Sequence, residues 1–246
     1  MEPFSFSPIG TISSCFKEKF GIPRQPGLVT AATAELVLDE QFGEQSIRGL
    51  DGFSHIWVNF VFHKTLEQGW KPMVRPPRLG GNTRVGVFAS RSTFRPNALG
   101  MSVLKLDKID HVKSQVILYL SGCDLLDGTP VLDIKPYLPY VDSIPDAKAG
   151  FASEPPQSTY QVEFSDDAIK QSQQASERIG HDVSILIRQI LAHDPRPSYQ
   201  KKSSQAAYVI RNKPRIYSMK LYDFDLKWQY CENSKIKVLG LVELVA

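Results

Sequence analysis

Apolar and polar residues alternate with a period of two through most of the first 140 residues. Phe53 to His63 (FSHIWVNFVFH), Val85 to Ser90, Met101 to Leu106, Gln115 to Leu120 and Val131 to Tyr137 are rich in β-branched and aromatic residues and are bounded by turn chemistry, which predicts strands. Asp51-Gly52 and Asp127-Gly128 stand just before two of them, and Gly80-Gly81-Asn82 marks another reversal. Short strands at near-regular spacing leave edges exposed unless the sheet curls on itself, so a barrel or a strongly curled sheet is expected.

From about Val141 the pattern breaks into DSIPDAKAGFASEPPQST, a Pro/Ser/Ala-rich linker or long surface loop. Beyond it the period becomes helical. Ser165 can cap a helix whose first turn holds Asp166 and Asp167. Asp182 to His193 carries Val183, Leu186, Ile187, Ile190 and Leu191 as one apolar stripe, stopped by Asp194-Pro195-Arg196-Pro197. Three strands complete the pattern: Ala207 to Arg211, Tyr217 to Trp228 and Ile236 to Val245. The expected fold is mainly β with an α+β C-terminal part: a β-barrel core over 1–145, then a small α+β domain over 146–246.

Composition narrows the class. The 246 residues are 42% hydrophobic with a formal charge of +3, which excludes a disordered or collagenous chain. No apolar run reaches the roughly 18 residues of a membrane span, so no membrane association is expected. Three distant cysteines (Cys15, Cys123, Cys231) make neither a disulfide framework nor a zinc spacing, pointing to a reducing cytoplasmic setting and to no metal. Charge is uneven. Lys64 to Arg95 holds seven Lys/Arg against Glu67 alone, and Ile187 to Lys227 holds nine against three acids. Two basic stretches on an otherwise acidic body fit a polyanion, RNA or DNA before membrane, although a solvated face would look the same.

Four stretches carry candidate chemistry. Val74 to Gly100 sets five arginines (Arg75, Arg78, Arg84, Arg91, Arg95) in a Pro/Gly-stiffened loop, guanidinium forks suited to carboxylates, phosphates or stacked bases. In Phe20 to Gly27 the prolines Pro23 and Pro26 restrain Arg24 and Gln25. His55 and His63, with Lys64, flank an apolar strand, eight residues apart and hence on one face of a sheet. Asp124 to Lys135 holds three carboxylates around a glycine turn, of which Asp127 or Asp133 could accept a ribose or amino-group hydrogen bond or a proton. No G-x-G-x-x-G follows a strand, and no Walker A, G-x-S-x-G or H-E-x-x-H occurs.

Taken in order, FGIPRQPGL, FSHIWVNFVFH, VRPPRLGG, SRSTFRPNALGMS, DGTPVLDIKPYLPY and DPRPSY resemble the TrmO (TsaA/YaeB-like) family over nearly the whole chain. The resemblance implies an S-adenosyl-L-methionine-dependent tRNA (adenine-N6) methyltransferase with a β-barrel core, unlike the Rossmann-type enzymes. It implies methyl transfer to N6 of threonylcarbamoyladenosine beside the anticodon, by a homodimer with the cofactor near the subunit interface. Carried over by motif, the cofactor residues would be Pro23, Arg24, Gln25, His63, Lys64, Arg91, Leu126, Asp127, Gly128 and Thr129. Arg84 or Arg95 would grip the threonyl carboxylate, and Arg196, Tyr199, Lys201 and Arg215 would hold the anticodon arm. A base for N6 is sought among Asp127, Asp133, Tyr137 and His55. The alternative is a non-catalytic barrel that binds S-adenosylmethionine or RNA.

Overall fold

The computed structural model describes residues 4–196 and 215–244. Its first eight strands are β1 (Gly10–Ser14), β2 (Thr33–Leu38), β3 (His55–Val61), β4 (Met73–Val74), β5 (Val85–Gly86), β6 (Leu99–Val112), β7 (Gln115–Ser121) and β8 (Thr129–Pro136). Six of them close a barrel in the order β1-β2-β7-β6-β3-β8, every neighbouring pair antiparallel. Alternation is the cause. Ile12, Leu36, Ile56, Val58, Leu104, Leu118, Leu120 and Val131 fill the interior while the residues between them face outward. Register shifts at Asn59/Phe60 and at Leu106/Lys108 supply the local bends that closure needs.

Two short helices flank the barrel: α1 (Glu44–Ile47), and α2 (Pro139–Asp142), which is tied to β3 by the Trp57 indole donating to Asp142 at 2.9 Å. The strand expected over Val85 to Ser90 shrinks to β5, which pairs only with β4. Only Val87 of that stretch is buried and Phe88 is 76% exposed, so no sheet face exists for a longer strand to cover.

The C-terminal part contains β9 (Gln161–Phe164), α3 (Asp166–Ile179), α4 (Val183–Ala192), β10 (Ile216–Leu221), β11 (Phe224–Cys231) and β12 (Lys235–Glu243). Its sheet runs β10-β11-β12-β9, with β9 parallel to β12. Ser165 caps α3, its Oγ accepting from the Ala168 N–H at 3.2 Å, and Asp182 caps α4, accepting from Ser184 and Ile185. The expected strand Tyr217 to Trp228 is instead the hairpin β10–β11, turned at Tyr222 with φ 48°. The stretch Ala207 to Arg211 lies outside the described residues. The α4 stripe packs on the sheet in a second core that also takes Cys15, Phe16, Val29 and Ala32 from the connection between β1 and β2. Among the described residues no helix is long and apolar enough to cross a membrane, and no three His, Cys, Asp or Glu gather as a metal site.

Candidate functional site

Strand direction brings the loop residues together. The register pairs Ser14 with Ala34, Thr33 with Ser121, Val61 with Leu99 and Ile12 with Thr129, so β1, β3 and β7 end where β2, β6 and β8 begin. The connections at this rim are 15–32, 62–98 and 122–128. They contain Pro23, Arg24 and Gln25; His63, Lys64 and Arg91; and Leu126, Asp127 and Gly128, with Thr129 opening β8. Cross-links join the three. Arg91 Nη1 donates to Gln25 Oε1, Lys19 Nζ to the Lys64 carbonyl at 2.8 Å, and the Gly27 N–H to the Gly122 carbonyl at 2.9 Å. Gly100 is required at the start of β6, where a Cβ would stand 2.3 Å from the Phe60 ring. That ring packs edge-on against Phe62 just before His63.

Each rim group is held by specific partners. Asp127 Oδ1 accepts from the Ser14 N–H at 2.9 Å and pairs with Lys17 Nζ at 2.9 Å, while its own N–H bonds the Phe16 carbonyl. Gly128, at φ 74°, donates to the Ile12 carbonyl, and Thr129 folds back on the Leu126 carbonyl through its N–H and its hydroxyl. Desolvation and the neighbouring Lys64 pull His63 below the ordinary imidazole pKa, so its ring is neutral at physiological pH. Arg24 lies at the surface. Desolvation and Arg78 lower its pKa against the opposing pull of Asp194.

The rim also holds a carboxylate that the sequence reading passed over. Asp124, partly buried, accepts from Ser102 Oγ at 2.7 Å, and Ser102 is itself buried inside the start of β6. Burial raises the Asp124 carboxyl to about 6, against the lowering effects of the Ser102 hydrogen bond and of Arg91. The signal in the sequence was an acid between Cys123 and Leu125, in a stretch otherwise apolar from Cys123 to Leu126.

Other expected residues are not brought to this rim. His55 opens β3 and Tyr137 follows β8, joined by a Tyr137 N–H to His55 carbonyl bond of 3.0 Å at the opposite end of the barrel. Along β3 that places them about 20 Å away. His55 and His63 do not share a sheet face, because β3 stops at Val61 and His63 begins a 3₁₀ turn. Asp133 is exposed on the outer wall beside Lys135 at 3.7 Å. Arg95 is half-buried and donates to the Ser90 carbonyl at 2.8 Å, bracing its own loop, whereas Arg84 is exposed.

Arg196, expected on an RNA-facing surface, is 3% exposed. Its guanidinium bonds Asp194 Oδ1 at 2.8 Å and Oδ2 at 3.1 Å, reaches the Tyr160 hydroxyl and lies 3.5 Å from the Tyr230 ring centroid. It is an interior tie, because the tyrosines of the sheet close over it. Arg215 is exposed, and Tyr199 and Lys201 lie outside the described residues.

The rim therefore offers guanidiniums, a neutral imidazole, a tight backbone turn and one carboxylate of raised pKa, a set suited to a zwitterionic nucleoside-like ligand. Comparison with known proteins points the same way. The model of the tRNA-methyltransferase O N-terminal domain matches residues 11–143, and that of the TrmO C-terminal domain matches residues 157–244. The tRNA (adenine(37)-N6)-methyltransferase of Escherichia coli is 47% identical over 230 residues, 93% of this chain and 94% of that protein. The putative S-adenosylmethionine-dependent methyltransferase RcsF of Pseudomonas aeruginosa is 47% identical over 238 residues, 96% of this chain and 97% of its own. The crystal structure of TrmO from Pseudomonas aeruginosa superposes with a TM-score of 0.80 at 40% identity, covering 98% of this chain and 99% of that one.

Proposed function

The chain belongs to the tRNA-methyltransferase O family, and from that premise we propose that it methylates N6 of threonylcarbamoyladenosine beside the tRNA anticodon, with S-adenosylmethionine as methyl donor. One observation carries the reading at the level of residues: ten positions spread from Pro23 to Thr129 meet at one barrel rim, with Arg91 bonded to Gln25 across it.

The donor set fits S-adenosylmethionine. Arg91 and Arg24 suit its carboxylate. Within the 126–129 turn the N–H groups of Asp127, Gly128 and Thr129 are already bonded and the Leu126 carbonyl is taken by Thr129, so a purine amino group would turn to another carbonyl of the turn. A neutral His63 adds no positive charge beside a sulfonium. When bound, this cofactor supplies a methyl carbon on a sulfur that leaves readily. The protein is left to align the acceptor nitrogen with that carbon and to exclude water.

N6 of the acceptor is attached to a carbonyl, so its proton is better lost during the transfer. We assign that proton to Asp124. Asp127 is taken up by Ser14 and Lys17, whereas Asp124 is a rim carboxylate whose pKa of about 6 is close to working pH. Arg84, exposed in the arginine loop, is the cation assigned to the threonyl carboxylate, since Arg95 braces its own loop. Arg215 and the exposed Lys71, Arg75 and Arg78 suit phosphates of the anticodon arm. Exposed Leu66, Trp70, Met73, Phe88, Leu99 and Met101, all within or next to the 62–98 connection, support a homodimer formed over this face. Three unpaired cysteines fit a cytoplasmic setting.

The test is to incubate the purified protein with S-adenosylmethionine and tRNA carrying the threonylcarbamoyl group, then analyse the nucleosides by mass spectrometry. One methyl group is expected on the modified adenosine. Its absence, or a methyl on another nucleoside, overturns the assignment.

A further inference from the structure

The cofactor tripeptide Pro23–Gln25 is carried by a connection that leaves the barrel and is seated in the C-terminal domain. On the N-terminal side of the tripeptide, Phe16 forms a bridge with Leu221, and Phe20 stacks on Trp228 with ring centroids 6.0 Å apart and planes 12° from parallel. Gly21 lies at φ 92°, where a Cβ would stand 2.6 Å from Met219 Sδ, so the chain passes close against β10. On the other side, Gln189 of α4 and the helix's C-cap, His193, take hold of the chain. Gln189 Oε1 accepts from the Ala31 N–H at 2.9 Å while its Nε2 donates to Thr30 Oγ1 at 3.0 Å, and His193 Nε2 donates to the Leu28 carbonyl at 3.2 Å. Val29 and Ala32 between and beside these contacts are buried in the second core. The barrel and its other rim connections also bond this connection, through the Gly27 N–H to the Gly122 carbonyl, the Cys123 N–H to the Ala32 carbonyl, the Asp127 N–H to the Phe16 carbonyl, Lys17 to Asp127, Lys19 to the Lys64 carbonyl and Arg91 to Gln25, so the C-terminal contacts act beside these ties.

Pro23 and Pro26 stiffen the stretch between the two anchorages, so a displacement at either end is transmitted to Arg24 and Gln25. Gln25 in turn is the partner of Arg91. We propose that Gln189 and His193 are positioning residues for the cofactor loop: they set Pro23–Gln25 against Arg91 from the C-terminal domain. That domain is thereby a structural part of the cofactor site as well as an RNA-binding arm. The consequence is specific. Loosening the clamp weakens cofactor binding through residues that never touch the cofactor, in a domain where no cofactor contact is expected.

Because the tripeptide's role as a cofactor contact is the reading given above, Gln25→Ala is measured alongside. The experiment is calorimetric titration of the full-length protein with S-adenosylhomocysteine for the wild type, Gln25→Ala, Gln189→Ala, Gln189→Glu, His193→Ala and Thr30→Val, with thermal melting of each. Loss of one clamp hydrogen bond should weaken binding about five- to tenfold in Gln189→Ala and in His193→Ala. Gln189→Glu, which keeps an oxygen for the Ala31 N–H, should recover most of that loss. Thr30→Val, which removes only the hydroxyl met by Nε2, should show a smaller loss and covers the case in which a larger change at Gln189 fails to fold. In turnover, KM for the cofactor should rise while kcat at saturation and KM for tRNA hold, a split that general destabilisation does not produce. Wild-type affinity in folded Gln189→Ala and His193→Ala, with Gln25→Ala weakened, overturns the clamp alone. Wild-type affinity in Gln25→Ala as well overturns the tripeptide as a cofactor contact, and the clamp with it.

Discussion

Replacing Asp124 by Asn should make the protein more stable at neutral pH and nearly inactive. The side chain keeps its shape and an oxygen for Ser102 Oγ, but the charge disappears. Burial raises the wild-type carboxyl from 3.8 to about 6, so above pH 6 the folded protein holds a carboxylate that the unfolded chain would ionise more readily. That difference is about 3 kcal/mol as a ceiling. Asp124 is partly open to solvent, and screening brings the expected gain nearer to about 1–2 kcal/mol, or roughly 2–8 °C in Tm. The sign follows from the direction of the shift. The penalty is fully present above about pH 6, shrinks as pH falls through the folded value, and is gone below 3.8, where both states are neutral. Urea unfolding of wild type and Asp124→Asn from pH 4 to pH 8 should show curves that separate as pH rises. Methyl transfer by the wild type should rise with pH through about 6, and the variant should lack that limb. Equal stability at pH 8, or wild-type turnover in Asp124→Asn, would refute the assignment.

Other outcomes are as definite. Gly100→Ala should destabilise the barrel by about 1–3 kcal/mol in denaturant unfolding, because its Cβ meets the Phe60 ring; pairing it with Phe60→Leu should return part of the loss. Arg196→Ala removes a buried guanidinium that bonds Asp194 and Tyr160 and lies over Tyr230, and should destabilise the protein by about 1–3 kcal/mol in denaturant unfolding; the test against a phosphate contact is the salt dependence of tRNA binding, whose slope should stay unchanged under folding conditions. Arg84→Ala should lower transfer to tRNA bearing the threonylcarbamoyl group by tenfold or more, at about 2 kcal/mol for a lost charge-assisted pair, while S-adenosylhomocysteine affinity holds.

Proline and glycine made the loops legible. FGIPRQPG and VRPPRLGG stand out in the sequence because their backbones are restricted, and both border the rim. Alternation revealed β3 and β7, whose inward residues are large and apolar, whereas in β8 the register shift opposite Asn59/Phe60 breaks it. It did not reveal β1: GTISS buries a glycine and a serine alongside Ile12, and only pairing with β2 and β8 makes it a strand. Which end of a strand reaches the rim is a property of register, so His55 and Tyr137 looked as eligible as His63 until the barrel closed. Arg196 was misread for a related reason. Its prolines resemble a surface turn, and its burial depends on Tyr160, just before β9, and on Tyr230 of β11, each more than 30 residues away. Asp124 differs from Asp127, held by Ser14 and Lys17, and from the exposed Asp133 in its burial and its bond to Ser102 of another strand, of which the sequence shows only the apolar residues on either side.

The rim as cofactor site is tested most directly by a crystal structure of the protein with S-adenosylhomocysteine. The ligand should lie across the 15–32, 62–98 and 122–128 connections, its carboxylate toward Arg91 or Arg24 and its purine against the Leu126–Thr129 turn. A ligand held only by residues beyond Val141, with the rim empty, would contradict it.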